Sequence, residues 1–244
     1  SIMSKKIAEG IRGLVLDVKW GSGAFMTSLE EARTLARALS ETGEAFGVDT
    51  VSRLTDMNQP LGHAAGIWCE VQESIEVLEG GGPPDVTALS KTLSADILRL
   101  AGIADPHPVV EEALSSGRAR EKFDQMVAAQ GGEVRALSDP DIHRPAATIP
   151  LKAPRSGCLQ AVDTYACGMS LTTTGAGRLQ KKDVLNPTAG FILEVKIGDR
   201  VQAGDEIGRY FGADRSKVKA AVGELAAALS WGDQEAERPV LIIE

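Results

Sequence analysis

The chain is 244 residues long, 43% hydrophobic, with a formal net charge of −8 and a pI near 5.1. That length and apolar content bury a substantial core and exceed one typical domain, so two lobes are expected. The acidic balance, with no basic stripe interleaved with aromatics, argues against a nucleic-acid partner. No apolar run approaches the roughly 20 residues of a membrane helix, so no membrane partner is expected. The three cysteines, Cys69, Cys158 and Cys167, have no CxxC spacing and read as reduced structural thiols, which suits a cytoplasmic protein.

Residues 1–9 are expected to be helical, which places Ser1 and Lys5, four apart, on one face where a ligand meets both. Gly13 releases the chain into Leu14-Val15-Leu16-Asp17-Val18-Lys19, an apolar run of strand length ending at Gly21-Ser22-Gly23. A GxG after a strand is a weak phosphate cue and more often a tight turn, and the third glycine of a dinucleotide fingerprint is missing. Ser28-Leu29-Glu30-Glu31 reads as a capping box, opening a helix with Ala32, Leu35, Ala36 and Leu39 at helical spacing. Residues 48–54 form a second strand, so strand, helix and strand make a βαβ unit with an at least partly parallel sheet. The loop at 55–62 then lies at the carboxyl end of a parallel strand, where α/β sheets bind ligands.

A helix over 66–78 is followed by the breaker Gly80-Gly81-Gly82-Pro83-Pro84, read as a linker. Further helices are expected: one with Leu89, Leu93, Ile97 and Leu100 on a single face, then 109–115 and 118–129. The proline-rich stretch 138–154 marks a second boundary. Beyond Arg155, glycines punctuate short apolar segments, a pattern of β-rich structure with few long helices. Residues 191–197 alternate before the Gly198-Asp199 turn as in a β-hairpin, a helix spans 215–229, and 239–243 closes as a last strand. The expected fold is an α/β lobe with a partly parallel sheet plus a C-terminal α+β domain, β-rich with barrel-sandwich-like hairpins. The histidines His63, His107 and His143 lack metal spacing and read as loop residues.

The opening residues, together with Thr55-Asp56-Met57-Asn58-Gln59-Pro60-Leu61-Gly62, Glu70-Val71, Gly175-Ala176-Gly177-Arg178 and the Gly198-Asp199-x-Val201-x-x-Gly204 turn, closely resemble the thymidine phosphorylase and pyrimidine-nucleoside phosphorylase family in order and spacing. The resemblance covers essentially the whole chain and implies the C-terminal portion of such an enzyme. It divides the chain into 1–9, the remnant of a helical base-binding domain, 10–145, a partial α/β lobe, and 146–244, the C-terminal domain. It further implies that the phosphate-binding segment, the base-clamp arginine and the catalytic histidine precede Ser1, so the chain by itself is expected to be inactive.

The implied reaction is attack of phosphate on the anomeric carbon of a pyrimidine nucleoside, such as thymidine, releasing the base and a pentose 1-phosphate. The resemblance places Lys5 in the catalytic role, stabilising the departing base, with Ser1 and Lys5 both on the pyrimidine. It implies no organic cofactor but a monovalent cation, potassium, held by Leu61, Ala64 and Glu73 in the complete enzyme, with the first two residues lending carbonyls at a helix start. It also implies a homodimer with small-molecule substrates. From the residues alone, Ser1, Lys5 and Lys6 read as the solvated face of a helix and Glu73 as a surface carboxylate. Ile67-Trp68-Cys69 departs from the family's usual Asn-Ala-Leu, placing a bulky indole beside the cation segment. Gly21-Ser22-Gly23 is assigned to the cleft wall.

Two rival readings follow from the same residues. A phosphorylase of the same superfamily acting on nucleoside monophosphates shares the motifs. A biotinyl or lipoyl carrier, or a structural fragment without activity, is the alternative of another class, with Lys181-Lys182-Asp183 as the weak candidate for a modified lysine.

Overall fold

The computed structural model describes residues 2–139 and 141–243. The expected βαβ unit is present: β1 (Gly13–Trp20) and β2 (Asp49–Asp56) pair in parallel, from Gly13 opposite Asp49 to Trp20 opposite Asp56. Helix α2 (Leu29–Ala45) connects them, and the Ser28 hydroxyl accepts the Glu31 N–H at 3.3 Å, satisfying one of the orphan donors of a helix start. Ala32 and Ala36 bury against Val18 and Leu54, so the expected apolar stripe packs on the strands. The preceding helix α1 (Ile2–Ala8) buries Met3, whose terminal methyl lies 3.3 Å from where a Cβ on Gly43 would sit, near the amino end of β2.

Four helices follow: α3 (Trp68–Leu78), α4 (Pro84–Leu100), α5 (Pro106–Ser115) and α6 (Arg118–Ala129). Helix α5 starts three residues earlier than expected, because prolines fit a first turn whose N–H groups need no partner. His107 is therefore helical rather than in a loop, and its Nε2 accepts from the Arg99 guanidinium at 2.8 Å. The expected apolar face of α4 is interrupted: Leu89 is buried, whereas Ile97 is exposed. On the same helix Asp96, only 3% exposed, takes a bidentate pair from Arg53 of β2 at 2.6 and 2.7 Å and a third bond from Arg99 at 2.7 Å. A charge cluster, with its hydrogen bonds made, fastens this helix to the sheet.

The remaining strands form two antiparallel sheets. One has the order β3-β6-β8-β4, with β3 (Ala64–Gly66), β4 (Ala147–Lys152), β6 (Gly190–Leu193) and β8 (Glu206–Gly212). The other runs β7-β5-β9, with β5 (Gly157–Val162), β7 (Arg200–Val201) and β9 (Leu229–Gly232). Helices α7 (Thr164–Thr174) and α8 (Arg215–Ala227) cover them, and Leu151, Leu159, Phe191, Leu193, Ile207, Tyr210, Val218 and Leu225 share one core.

Several expectations are corrected here. Residues 138–154 are not only a boundary: β4 lies within them, and Pro150 is accommodated because β4 is an edge strand. The alternation at 191–197 does bury Phe191, Leu193, Val195 and Ile197, but β6 pairs with β8, and Arg200–Val201 joins the other sheet. Helix α7 departs from the expected β-rich texture, since its Thr-, Ser- and Gly-rich sequence has no apolar stripe. Gly175, with φ of 86°, is its left-handed C-cap. Helix α8 ends at Ala227, and Leu229 begins β9. Residues 239–243 do not close the C-terminal sheet. They run beside β2 through Asp56 N–H to Leu241 O and Ile243 N–H to Leu54 O, both 2.8 Å, where the edge of the parallel pair offers unpaired groups.

Candidate functional site

Ser1 lies outside the described residues. Lys5 is exposed on α1, at the amino ends of β1 and β2, while the loops at 21–23 and 55–62 leave the carboxyl ends of those strands. Within this chain Lys5 and the loop residues therefore stand at opposite ends of the parallel pair.

The carboxyl end carries a connected polar cluster. Lys19 Nζ contacts Asp17 Oδ2 at 2.5 Å and donates to Thr55 Oγ1 at 2.9 Å, and the buried Thr55 hydroxyl donates to Asp17. Burial pushes the neighbouring Asp56 carboxyl up, against the pull of Asn58, whose amide donates to it at 2.6 Å, and of Lys19. The glycine turn is used for docking rather than left open. Ser22 Oγ donates to Val162 O at 2.9 Å and sits 3.2 Å from Thr164 Oγ1, while the Ser22 N–H reaches Asn58 Oδ1 at 3.0 Å. A Cβ on Gly21 would fall 2.7 Å from the Asn58 side chain, and one on Gly23 2.6 Å from Thr164, so both glycines are explained by close approach.

The segment expected to hold a cation is built from three directions. From α3, Glu73 Oε1 accepts the N–H groups of His63 at 2.8 Å and Ala64 at 2.9 Å. Among the described residues no hydrogen bond reaches Glu73 Oε2, which lies so close to Gly62 that a Cβ there would be 2.0 Å away. Gly62 has φ of +67°, a conformation that costs any other L-residue. One carboxylate oxygen is thus spent on amides, while the other packs against the Gly62 backbone. Ala64, however, lies in β3 and not at a helix start, since α3 begins only at Trp68.

From α4, Asp85 Oδ2 accepts the Gly62 N–H at 3.1 Å. From the segment after β6, Lys196 Nζ donates to Pro60 O at 2.7 Å, Gly62 O at 2.6 Å and Asp85 Oδ2 at 2.7 Å. Burial pushes the Asp85 carboxyl up, but the bond and charge of Lys196, with the Val86 and Gly62 N–H groups, outweigh it and hold the carboxyl below its usual range. The Ile197 N–H reaches Gln59 Oε1 at 2.8 Å and the Leu193 N–H reaches His63 O at 2.8 Å. Lys196 and Asp85 are members of this cluster that sequence reasoning misses, whereas Gln59 belongs to the loop at 55–62 that it singles out. Lys196 sits on the outward phase of an alternating run, and nothing local marks its partner loop, more than 130 residues away.

Two cavities flank this loop. One of about 640 Å³ is lined by Ala64, Glu73, Trp68 and His143 together with Glu194, just after β6, and Arg209 of β8. There Trp68 meets His143 edge-on with centroids 5.2 Å apart, so the indole that departs from the family pattern forms a wall of the space beside Glu73. The other, about 200 Å³, is lined by Leu61, Asp56, Asp85, Lys196 and Arg238. Among the described residues no cluster of three or more His, Cys, Asp and Glu suits a metal ion. Likewise no described helix is long and apolar enough to cross a membrane. Lys181 and Lys182 lie in an exposed turn where Asp183 accepts the Leu179 and Gln180 N–H groups, not between two paired strands as a carrier lysine would.

Residues 1–120 match the glycosyl transferase family a/b domain, and residues 158–231 match the pyrimidine nucleoside phosphorylase C-terminal domain. Pyrimidine-nucleoside phosphorylases of Staphylococcus aureus strains USA300 and NCTC 8325 / PS 47 are each 39% identical over 238 residues, which covers 96% of this chain and 55% of theirs. The chain spans about half the length of the curated relatives it matches. Two domain matches in the family's order, and this identity along nearly the whole sequence, mean that the chain belongs to the thymidine and pyrimidine-nucleoside phosphorylase family.

Proposed function

We propose that the polypeptide to which these residues belong catalyses phosphorolysis of a pyrimidine nucleoside, converting thymidine and phosphate to thymine and 2-deoxyribose 1-phosphate. The observation that supports this is the 39% identity, over 96% of the chain, with enzymes named pyrimidine-nucleoside phosphorylase. As phosphate bonds to the anomeric carbon, the electron pair of the breaking C–N bond passes to the base, whose ring and carbonyl oxygens gain negative charge. A lysine ammonium beside that oxygen binds the charged state more strongly than the neutral nucleoside, and so lowers the barrier. We assign this part to Lys5, with Ser1 on the same base edge. Leu61, Ala64 and Glu73 are assigned to a potassium ion, Glu73 through Oε2; the ion supplies fixed positive charge to its oxygen ligands.

In this reading residues 10–145 form the α/β lobe, which lends β3 to the C-terminal domain of 146–244, and the two antiparallel sheets form a barrel-sandwich-like unit. The assembly is a cytoplasmic homodimer acting on small molecules. The test is phosphate-dependent release of thymine and uracil, followed by ultraviolet absorbance, with this chain and with a form extended to the length of the relatives. Lys5→Gln in an active form should lower kcat on the order of 10²-fold or more. No phosphate-dependent release of either base overturns the reading, and release only from a nucleoside 5′-monophosphate transfers it to nucleotide phosphorolysis.

A further inference from the structure

The ammonium of Lys196 is held by two backbone carbonyls and one carboxylate, at 2.6 to 2.7 Å from each. Convergent carbonyls with a single carboxylate are the surroundings of a bound monovalent cation rather than of an ordinary surface ion pair, which engages one acidic partner and stays solvated. Only 20% of the Lys196 side chain and 24% of that of Asp85 are exposed. The carbonyls belong to Pro60 and Gly62, flanking Leu61, and Gly62 also abuts the Glu73 carboxylate that receives Ala64. Leu61 and Ala64, two of the residues assigned to potassium, therefore lie on a stretch that a lysine from the C-terminal half already clamps, and the third, Glu73 of α3, accepts two of its N–H groups.

We propose that Lys196 is an intrinsic cation: its ammonium fills an oxygen cage made by Pro60, Gly62 and Asp85, and so positions the 59–64 loop that presents Leu61, Ala64 and the Glu73 contact. It is a positioning residue and touches no substrate. Three acceptors at charge-assisted distance satisfy all three N–H donors of the ammonium, so removing it leaves two carbonyls and a carboxylate facing one another around a space of cation size. A small cation from solution then has a reason to enter. Only the functional consequence rests on the potassium assignment; the cage stands on its own contacts.

The test is hydrogen exchange on this chain and its Lys196→Met variant, which keeps the apolar stem and removes the charge. Exchange is read at the His63, Ala64 and Leu193 amides, with α2 amides as the internal reference. In choline chloride the variant should exchange at these sites on the order of 10- to 100-fold faster while α2 is unchanged. Potassium or ammonium chloride at equal ionic strength should restore most of that protection, and tetramethylammonium, too large and without N–H donors, should not. Unchanged exchange in the variant overturns the clamp, and faster exchange that no small cation reverses overturns the cage. If Lys196→Met does not fold, Lys196→Gln, which retains a donor, takes the same comparison. Nucleosides and phosphate play no part, so failure of the phosphorylase reading and failure of the cage are separate results.

Discussion

Replacing Gly62 with alanine should be among the most damaging single-methyl changes in the molecule. Two effects add. At φ of +67° an alanine carries a strain of about 1–2 kcal/mol. The new methyl would also fall 2.0 Å from Glu73 Oε2 and 2.8 Å from a Val86 methyl, so the carboxylate must swing away. That movement breaks its bonds from the His63 and Ala64 N–H groups, at 2.8 and 2.9 Å, each worth about 1.5–3 kcal/mol as a charged hydrogen bond. With partial relaxation the net loss is about 4 kcal/mol. Gly47 supplies the control, because it has φ of +73° but no atom within 4 Å of where an alanine methyl would sit, so Gly47→Ala should cost only the strain. Urea unfolding of the two variants, with equal m-values, isolates the steric and hydrogen-bond part as their difference. A difference below about 1 kcal/mol would refute the claim that Glu73 is wedged between Gly62 and the two amides.

Asp96→Ala should lower stability by about 3 kcal/mol, because it strips Arg53 and Arg99 of a shared partner that is only 3% exposed, and thermal unfolding should fall by roughly 6–12 °C. The bond from Arg53 holds the Asp96 carboxyl below its usual range, with burial opposing and the charges of Arg53 and Arg99 assisting, so its contribution is complete above the unfolded value of about 3.9 and lost as pH falls through the folded one. Urea midpoints measured from pH about 6 down to 3 should therefore decline less steeply in Asp96→Asn than in the parent; parallel curves would contradict this linkage. Burial pushes the thiol of Cys69 up to about 11 and that of Cys167 up to about 12, so both should resist a disulfide reagent at pH about 8 until the chain unfolds, and a fast-reacting native thiol would contradict their placement. Ser22→Ala should cost about 1–2 kcal/mol by removing the hydroxyl that bonds Val162 O, measured by the same urea titration.

Local patterns in the sequence are enough for elements whose signals are local. The β1-α2-β2 unit follows from an apolar run, a capping serine and a second run, since its strands bury the faces that the periodicity marks and Ser28 caps the helix as its type demands. Helix α7 is hidden for a physical reason: Cys167, Ser170 and Thr174 are its buried side, and Ser170 bonds Cys167 O and Tyr210 Oη inside the core, so its inner face has no apolar stripe to detect. The tail at 239–243 has the composition of a strand, but its partner is decided by which sheet edge stands open, a property of the assembled fold.

The candidate site divides along the same line. Glu73, read from the residues alone as a surface carboxylate, is reachable from the sequence only through the family resemblance, and in the structure its Oε1 accepts the His63 and Ala64 N–H groups. Lys196 is not reachable, because its partners come from α4 and from a loop more than 130 residues earlier, brought together only when β3 pairs with β6. That pairing puts residues 193–197 alongside 59–64, and the polar groups of the contact find partners there: Leu193 N–H on His63 O, Ile197 N–H on Gln59, and Lys196 on the two carbonyls and Asp85. A loop at the carboxyl end of a parallel strand is ordinarily free to vary. Here the C-terminal half fixes its backbone from one side while α3 and α4 fix it from the other, so the geometry of this loop is decided by the docking of the two halves, and a substitution at that seam should be felt at Leu61, Ala64 and Glu73 without touching any of them.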